Sequence, residues 1–253
     1  MNTGRDHYAS IYASQLDAEA KWLAFGAVEK ANSVQMLVTP RMPKPLTVME
    51  LGAGTGAIVA ELQRRAFAVN YIAVDYSTDA CEYMRRNLRG VNVVRADIVA
   101  ERIPDQADVV LLSHVVEHLE EPETLLSAIA KNIDFEWLVI ECPLEDLPAS
   151  RLKNLFRDRS RNLAGHVQFF SERSFRELIG RHFTIVDHRH YAPWSPSHVV
   201  SFLAIKDRMS PTTRITKRFT MEFGPRFMAP LWKRLWLGNY ALLCKKPVKP
   251  PQV

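Results

Sequence analysis

Glu50, Asp75 and Asp97 each stand at or just past the end of a short apolar run, 48–51, 71–74 and 91–94. Gly52, Gly54 and Gly56 follow the first run and open directly into a helical pattern. Glycine tolerates positive φ and lets backbone pass close to a ligand, so run, turn and helix make a cradle for something flat and polar. Alone the turn is ambiguous, because Gly52, Gly54 and Ala57 also fit the dinucleotide fingerprint G-x-G-x-x-G/A. The carboxylates narrow it. Asp75 lies where it can accept both hydroxyls of a ribose, Asp97 where it can accept from an adenine amino group, and Glu50 at the rim where open α/β sheets bind ligands. A ligand bearing an amine, a ribose and an adenine suits this set, whereas a pyrophosphate would prefer fewer negative neighbours.

His114, Glu117 and His118 follow a fourth apolar run, 107–112. A helical turn here would put both imidazoles on one face with Glu117 beside them. An imidazole near pKa 6.5 can accept a proton from a hydroxyl acceptor at neutral pH, which makes His118, His114 and, from the segment G-H-V-Q-F-F, His166 the candidate catalytic residues. The same groups, with Glu117, are candidate ligands for a divalent metal. H-x-x-E-H also matches an inverted zinc-peptidase pattern, but a strand precedes it where that pattern needs a long helix.

These elements must position the residues. Residues 6–38 read as a long helix, either a cap on the core or a lid over the cradle, and Pro40, Pro43 and Pro45 stop it. Helical patterns over 58–65, 78–88 and 123–131 alternate with strands at 48–51, 71–74, 91–94, 107–112 and 137–140, which predicts a doubly wound parallel sheet. A helix is expected over 148–161, another after an N-cap at Ser171, a sixth strand over 183–190 and a last strand over 240–244. Residues 199–205 have strand-like composition, but 240–244 is better bounded.

The four strand-end motifs together resemble the class I S-adenosylmethionine-dependent methyltransferases over residues 46–190 and the terminal strand. E-L-G-A-G-T-G (50–56) is similar to their first motif, A-V-D-Y-S (73–77) to the second, R-A-D-I (95–98) to the third and D-V-V-L-L-S-H-V-V-E-H-L (108–119) to the fourth. The resemblance implies a Rossmann-like α/β fold with a seven-stranded, mostly parallel sheet and an antiparallel last strand. It implies that Glu50 with Gly52, Ala53, Gly54 and Gly56 holds the methionine part of S-adenosylmethionine, Asp75 and Tyr76 the ribose, and Asp97 and Ile98 the adenine, with the backbone of Ser113 or His114 bordering the sulfonium. The cluster is similar to the metal-binding E-x-x-E-H of ubiquinone-pathway and small-RNA 2′-O-methyltransferases, with His114 in place of the first Glu. That change from oxygen to nitrogen shifts preference from magnesium toward zinc or iron-like ions. In much of the family V-x-E-H-L occurs without metal. The reading is an O-methyltransferase acting on a small molecule or glycan, an amine acceptor coming second. A NAD-binding reductase or epimerase is the alternative from another class, and it lacks a Tyr-x-x-x-Lys pair.

Composition bounds the rest. From Lys206 onward eleven Lys/Arg face Asp207 and Glu222, a local net charge of +9, while residues 1–205 carry −4. The aromatic, basic segment 195–237 is expected to be a helical insertion capping the acceptor pocket, with its aromatics buried. Contact of residues 208–237 with anionic lipid is the next reading and nucleic acid the last. The domain reading is thus a cap over 1–45, a core over 46–194, the insertion over 195–237 and a last strand and tail over 238–253. With no signal-peptide pattern and no long apolar run, the expected location is cytoplasmic, peripheral to the inner face of a membrane if the tail binds lipid. Cys81, Cys142 and Cys244, widely spaced, read as reduced thiols.

Overall fold

The computed structural model describes residues 4–101, 103–148, 165–207, 209–235 and 238–247. One sheet holds β1 (Thr47–Leu51), β2 (Asn70–Asp75), β3 (Val91–Arg95), β4 (Val109–Ser113), β5 (Trp137–Leu144), β6 (Thr184–Tyr191) and β7 (Gly238–Lys245). Their order is β3-β2-β1-β4-β5-β7-β6, and β7 runs antiparallel to both its neighbours while all other pairs are parallel. The expected Rossmann-like sheet with an antiparallel last strand is therefore observed. Strand order reverses between β1 and β4, and ligands of open α/β sheets bind at the carboxyl ends flanking such a reversal.

Side chains alternate across the pleat into two cores. Met49, Leu51, Val110, Leu112, Leu138 and Ile140 pack toward α4 (Pro122–Asn132) and α5 (Glu172–Gly180). Val48, Val109, Leu111 and Val139 pack on the other face, toward α1 (Gly4–Val38), α2 (Ala57–Arg64) and α3 (Thr78–Asn87). Burial on both faces is why these strands read as continuous apolar runs. Ser77 and Ser171 cap α3 and α5, each accepting from a backbone N–H three residues on, and Ser174 reciprocates to Ser171.

α1 bends at Gln15, whose φ of −143° and ψ of 28° are not helical. Its second limb is fixed to the body. Arg65 donates to Asn32 Oδ1 at 2.8 Å and Gln35 Oε1 at 2.7 Å, and Arg189 to Glu29 Oε2 and Ser33 Oγ, both at 2.8 Å.

Between β6 and β7 come α6 (Ser197–Lys206), α7 (Pro211–Arg218), a π turn (Phe219–Phe223), α8 (Gly224–Phe227) and α9 (Ala229–Leu235). The strand-like stretch 199–205 is helical. Val199, Val200, Leu203 and Ala204 are its buried positions, and that spacing follows a helix turn rather than a pleat. The helix expected over 148–161 lies outside the described residues beyond Pro148. The three cysteines are free and buried. Among the described residues no helix is long and apolar enough to cross a membrane.

Candidate active site

Leaving β1, the chain turns through Gly52, Gly54 and Gly56, all in the left-handed region. Gly54 needs that freedom doubly. Its φ is +56°, and a Cβ there would lie 2.7 Å from the hydroxyl of Tyr12. Asp75, at the end of β2, accepts from Gly54 N at 2.7 Å and from Ser77 N at 2.9 Å. It thus braces the turn and still has lone pairs facing the cleft, since an ionised carboxylate offers about four acceptor sites. Burial pushes its carboxyl up, against three backbone N–H groups. Glu50 is buried too and accepts from Val59 N in the first turn of α2. Burial lifts its carboxyl to about 8, opposed by the Lys30 charge and the Val59 N–H.

The histidines are not placed by a helix face as the spacing predicts. His114, just past β4, has a φ of +57°, and only Val116–His118 forms a 3₁₀ turn. The reversal brings His114 Nδ1 3.2 Å from Glu117 Oε1 and its Nε2 3.5 Å from Glu141 Oε1. Glu141 accepts from Tyr191 Oη at 2.9 Å, which accepts in turn from Asn239. Burial opposes charge on Glu117, but His114, His118 and His166 around it hold its carboxyl down at about 2. Both of its oxygens are buried. His118 Nδ1 lies 3.1 Å from Gly165 O, and its Nε2 3.4 Å from Tyr8 Oη. Burial lowers its pKa, and the Glu117 charge only partly restores it. His166 stacks edge-on against His118 at 4.8 Å. Burial lowers its pKa, but a hydrogen bond to Glu145 outweighs this, so it is raised.

One cleft of about 1060 Å³, its open mouth included, joins these parts. Its lining contains Glu50, Gly52, Ala53, Gly54, Asp75, Tyr76, Asp97, Ile98, Ser113, His114 and His118. Of the expected site residues, Gly56, Glu117 and His166 are not among the lining residues. The first limb of α1 roofs the cleft with Tyr8 and Tyr12, and the second limb contributes Leu23 and Lys30.

A sequence model of the methyltransferase domain matches residues 24–183. The chain belongs to the methyltransferase family. Its methyl donor is S-adenosylmethionine, and the reductase or epimerase reading is set aside with it. Residues of this methyltransferase are 31% identical over a 97-residue stretch to an (S)-coclaurine N-methyltransferase of Thalictrum flavum subsp. glaucum, a match spanning 36% of this chain and 26% of that one. Among solved structures, phosphoethanolamine N-methyltransferase 2 of Haemonchus contortus is similar with a TM-score of 0.62 at 12% identity, over 98% of this chain and 61% of that one. The N-methyltransferase NodS of Bradyrhizobium japonicum, solved with S-adenosylhomocysteine, gives 0.51 at 11%, over 87% of each chain. A Haloferax volcanii chain solved with the Trm112 methyltransferase activator gives 0.60 at 13%, over 95% of this chain and 98% of that one. At such identities these likenesses are of fold.

The cleft of the methyltransferase fits that donor. Ser113 Oγ, buried in the cleft wall, lacks a hydrogen-bond partner among the described residues, as a group waiting on a ligand does. Glu50 and Asp75 put carboxylates beside a close-packed glycine turn, where an amine and a ribose can be met. Tyr8, Tyr12, Lys30, Glu141 and Tyr191 were not singled out by sequence reasoning. Tyr8 and Tyr12 carry one faint signal, two tyrosines four residues apart on an Ala-rich helix.

The insertion differs from expectation. No residue of 195–235 is among those lining the cleft, and Phe219, Phe223 and Phe227, expected to be buried, are 52%, 44% and 71% exposed. Trp232 is buried, and Trp236 lies outside the described residues.

Proposed function

We propose that this methyltransferase transfers its methyl group to a hydroxyl of a small molecule or glycan, with His118 taking the hydroxyl proton. The observation carrying this is the 3.1 Å contact of His118 Nδ1 with Gly165 O. The Gly165 carbonyl can only accept, so Nδ1 bears the hydrogen and the Nε2 lone pair is left facing Tyr8 and the cleft. Burial keeps that imidazole neutral at neutral pH. S-adenosylmethionine supplies an electrophilic methyl carbon when bound. Glu50 and the glycine turn would hold its methionine part, Asp75 with Tyr76 its ribose, and Asp97 with Ile98 its adenine. Ser113 and His114 border the reacting end. Methyl transfer then needs in-line placement and removal of one proton, which His118 provides.

His118→Ala is expected to lower kcat by about 10²–10⁴-fold while S-adenosylhomocysteine still binds by calorimetry. The base must be neutral, so the wild-type rate should fall only as pH drops through a value below histidine's ordinary 6.5. A panel of hydroxylated glycans, quinols and amines identifies the acceptor, and exclusively N-methylated product would overturn the reading. An amine acceptor is favoured by the partial likeness to an N-methyltransferase, which spans about a quarter of that relative.

A second reading rests on the ligand atoms of Glu117, His118 and His166, which lie within 4.8 Å of one another; His114 stands outside that group. Such a trio suits a divalent ion aiding a quinol or RNA 2′-hydroxyl acceptor. Chelator separates the two. Full activity in its presence is expected if His118 is the base, and abolition restored by added zinc would install the ion instead.

A further inference from the structure

Ile215, Phe219, Phe223, Phe227, Leu231 and Leu235 recur every four residues through the insertion. They are 70%, 52%, 44%, 71%, 49% and 40% exposed. Spacing of four keeps neighbouring side chains on one side of a helix, and Phe223 and Phe227 stack on each other at 6.2 Å. α7 has no buried residue. The opposite side of this segment is fastened to the body. Met221 O accepts from Ser195 N at 2.8 Å, Ser197 donates to Glu222, and buried Trp232 packs so closely on Gly224 that a Cβ there would meet its ring at 2.5 Å. Phe223 and Phe227 are thus held outward by a built scaffold, while Phe219, half exposed, also packs edge-on to the Trp232 ring at 5.5 Å. An exposed row of this size on a soluble domain marks an interaction surface.

Charge indicates what covers it. Arg214, Lys217, Arg218, Arg226 and Arg234 flank the row, while Lys233 donates inward to His190 O; the one acidic residue, Glu222, has its carboxylate turned inward to Ser197 and Arg218. Arg218 and Arg226 lie 5.9 and 5.6 Å from the ring centroids of Phe223 and Phe227. A second copy docking through the same face would set these five cations against five like charges. Nucleic acid would use the rings for stacking, but three of the six apolar positions are aliphatic and offer no stacking surface. Apolar side chains at headgroup depth with Lys/Arg beside them match an anionic lipid surface.

We propose that α7, the π turn, α8 and α9 form a face that docks this methyltransferase peripherally on an anionic membrane. The face is tied to the lid. Lys206 Nζ of α6 lies 2.7 Å from Glu19 Oε2 of α1, and Phe25 packs edge-on to His198 and Phe202. The docking face is therefore joined through α6 to the helix that roofs the cleft.

The full chain is sedimented with vesicles of phosphatidylcholine alone and of phosphatidylcholine mixed with phosphatidylglycerol. Binding is expected to the mixed vesicles only, and to weaken as salt rises. Phe223→Ser/Phe227→Ser and, separately, Arg214→Glu/Lys217→Glu should each lower partitioning at least about tenfold. S-adenosylhomocysteine affinity should stay unchanged in both, and since α7 buries nothing the charge reversal leaves the fold intact. Failure of the wild-type chain to sediment with mixed vesicles overturns the proposal. So would binding of single-stranded RNA that competes with vesicles at lower concentration, or a dimer in solution that the phenylalanine variant dissolves.

Discussion

The carboxyl of Glu50 sits in the fold at about 8, so below that pH the ligand-free cleft holds it protonated. An ammonium placed beside it favours the ionised form, which couples binding to proton release. S-adenosylhomocysteine affinity should accordingly rise with pH up to about 8 and then level off, read by calorimetry in buffers of differing ionisation enthalpy. The same group works against the fold. A carboxyl raised above its unfolded value disfavours the native state progressively as pH climbs from the ordinary carboxylate range to about 8. Glu50→Gln should therefore raise the thermal midpoint of the ligand-free protein at pH 8 while weakening ligand binding; a variant that binds as well as wild type would remove Glu50 from the amine contact. His114 is harder to read from sequence. Its positive φ costs a β-carbon-bearing residue about 1 kcal/mol or more, and its side-chain contacts to Glu117 and Glu141, with its N–H donating to Glu141 O at 2.8 Å, hold it there. Glu141 is far along the chain, so nothing local announces the pair.

At the scale of elements, the β1–α2 turn and the first limb of α1 close on each other. Gly54→Ala would force a side chain into left-handed backbone and into the Tyr12 hydroxyl. It should abolish measurable S-adenosylhomocysteine binding while the far-ultraviolet dichroism stays native, because the strain of about 1–2 kcal/mol falls on one turn; retained affinity would show the lid moves aside freely. The cradle was legible because its parts are local: a strand end, a glycine turn, and carboxylates in phase with the next two strands. The roof was not. Nothing in 6–38 distinguishes Tyr8 and Tyr12 from ordinary helix positions until the bend at Gln15 aims them at the cleft. The insertion shows the converse. Its aromatics were read as buried because composition cannot tell inward from outward, although the four-residue recurrence stood in the sequence throughout.

At the scale of the whole molecule, β7 is the strand that closes the sheet. It is buried along all but its last residue, pairing with β5 on one side and β6 on the other, and β6 has no other strand beside it. Leu242 is fully buried within it, against Ile140 and His188. Leu242→Ala should destabilise the fold by about 2–5 kcal/mol in denaturant titration, and a loss under 1 kcal/mol would mean that this part of the sheet repacks. The placement of β7 also has a consequence for how the chain is made. A ribosome releases the sequence from its N-terminus, so β5 and β6 emerge well before residues 238–245 that join them. Until then each has a bare row of backbone donors and acceptors, the kind of edge that recruits other chains. The nascent protein is thus most exposed to aggregation while the insertion is being translated, and a stop codon before Gly238 would make that vulnerability permanent.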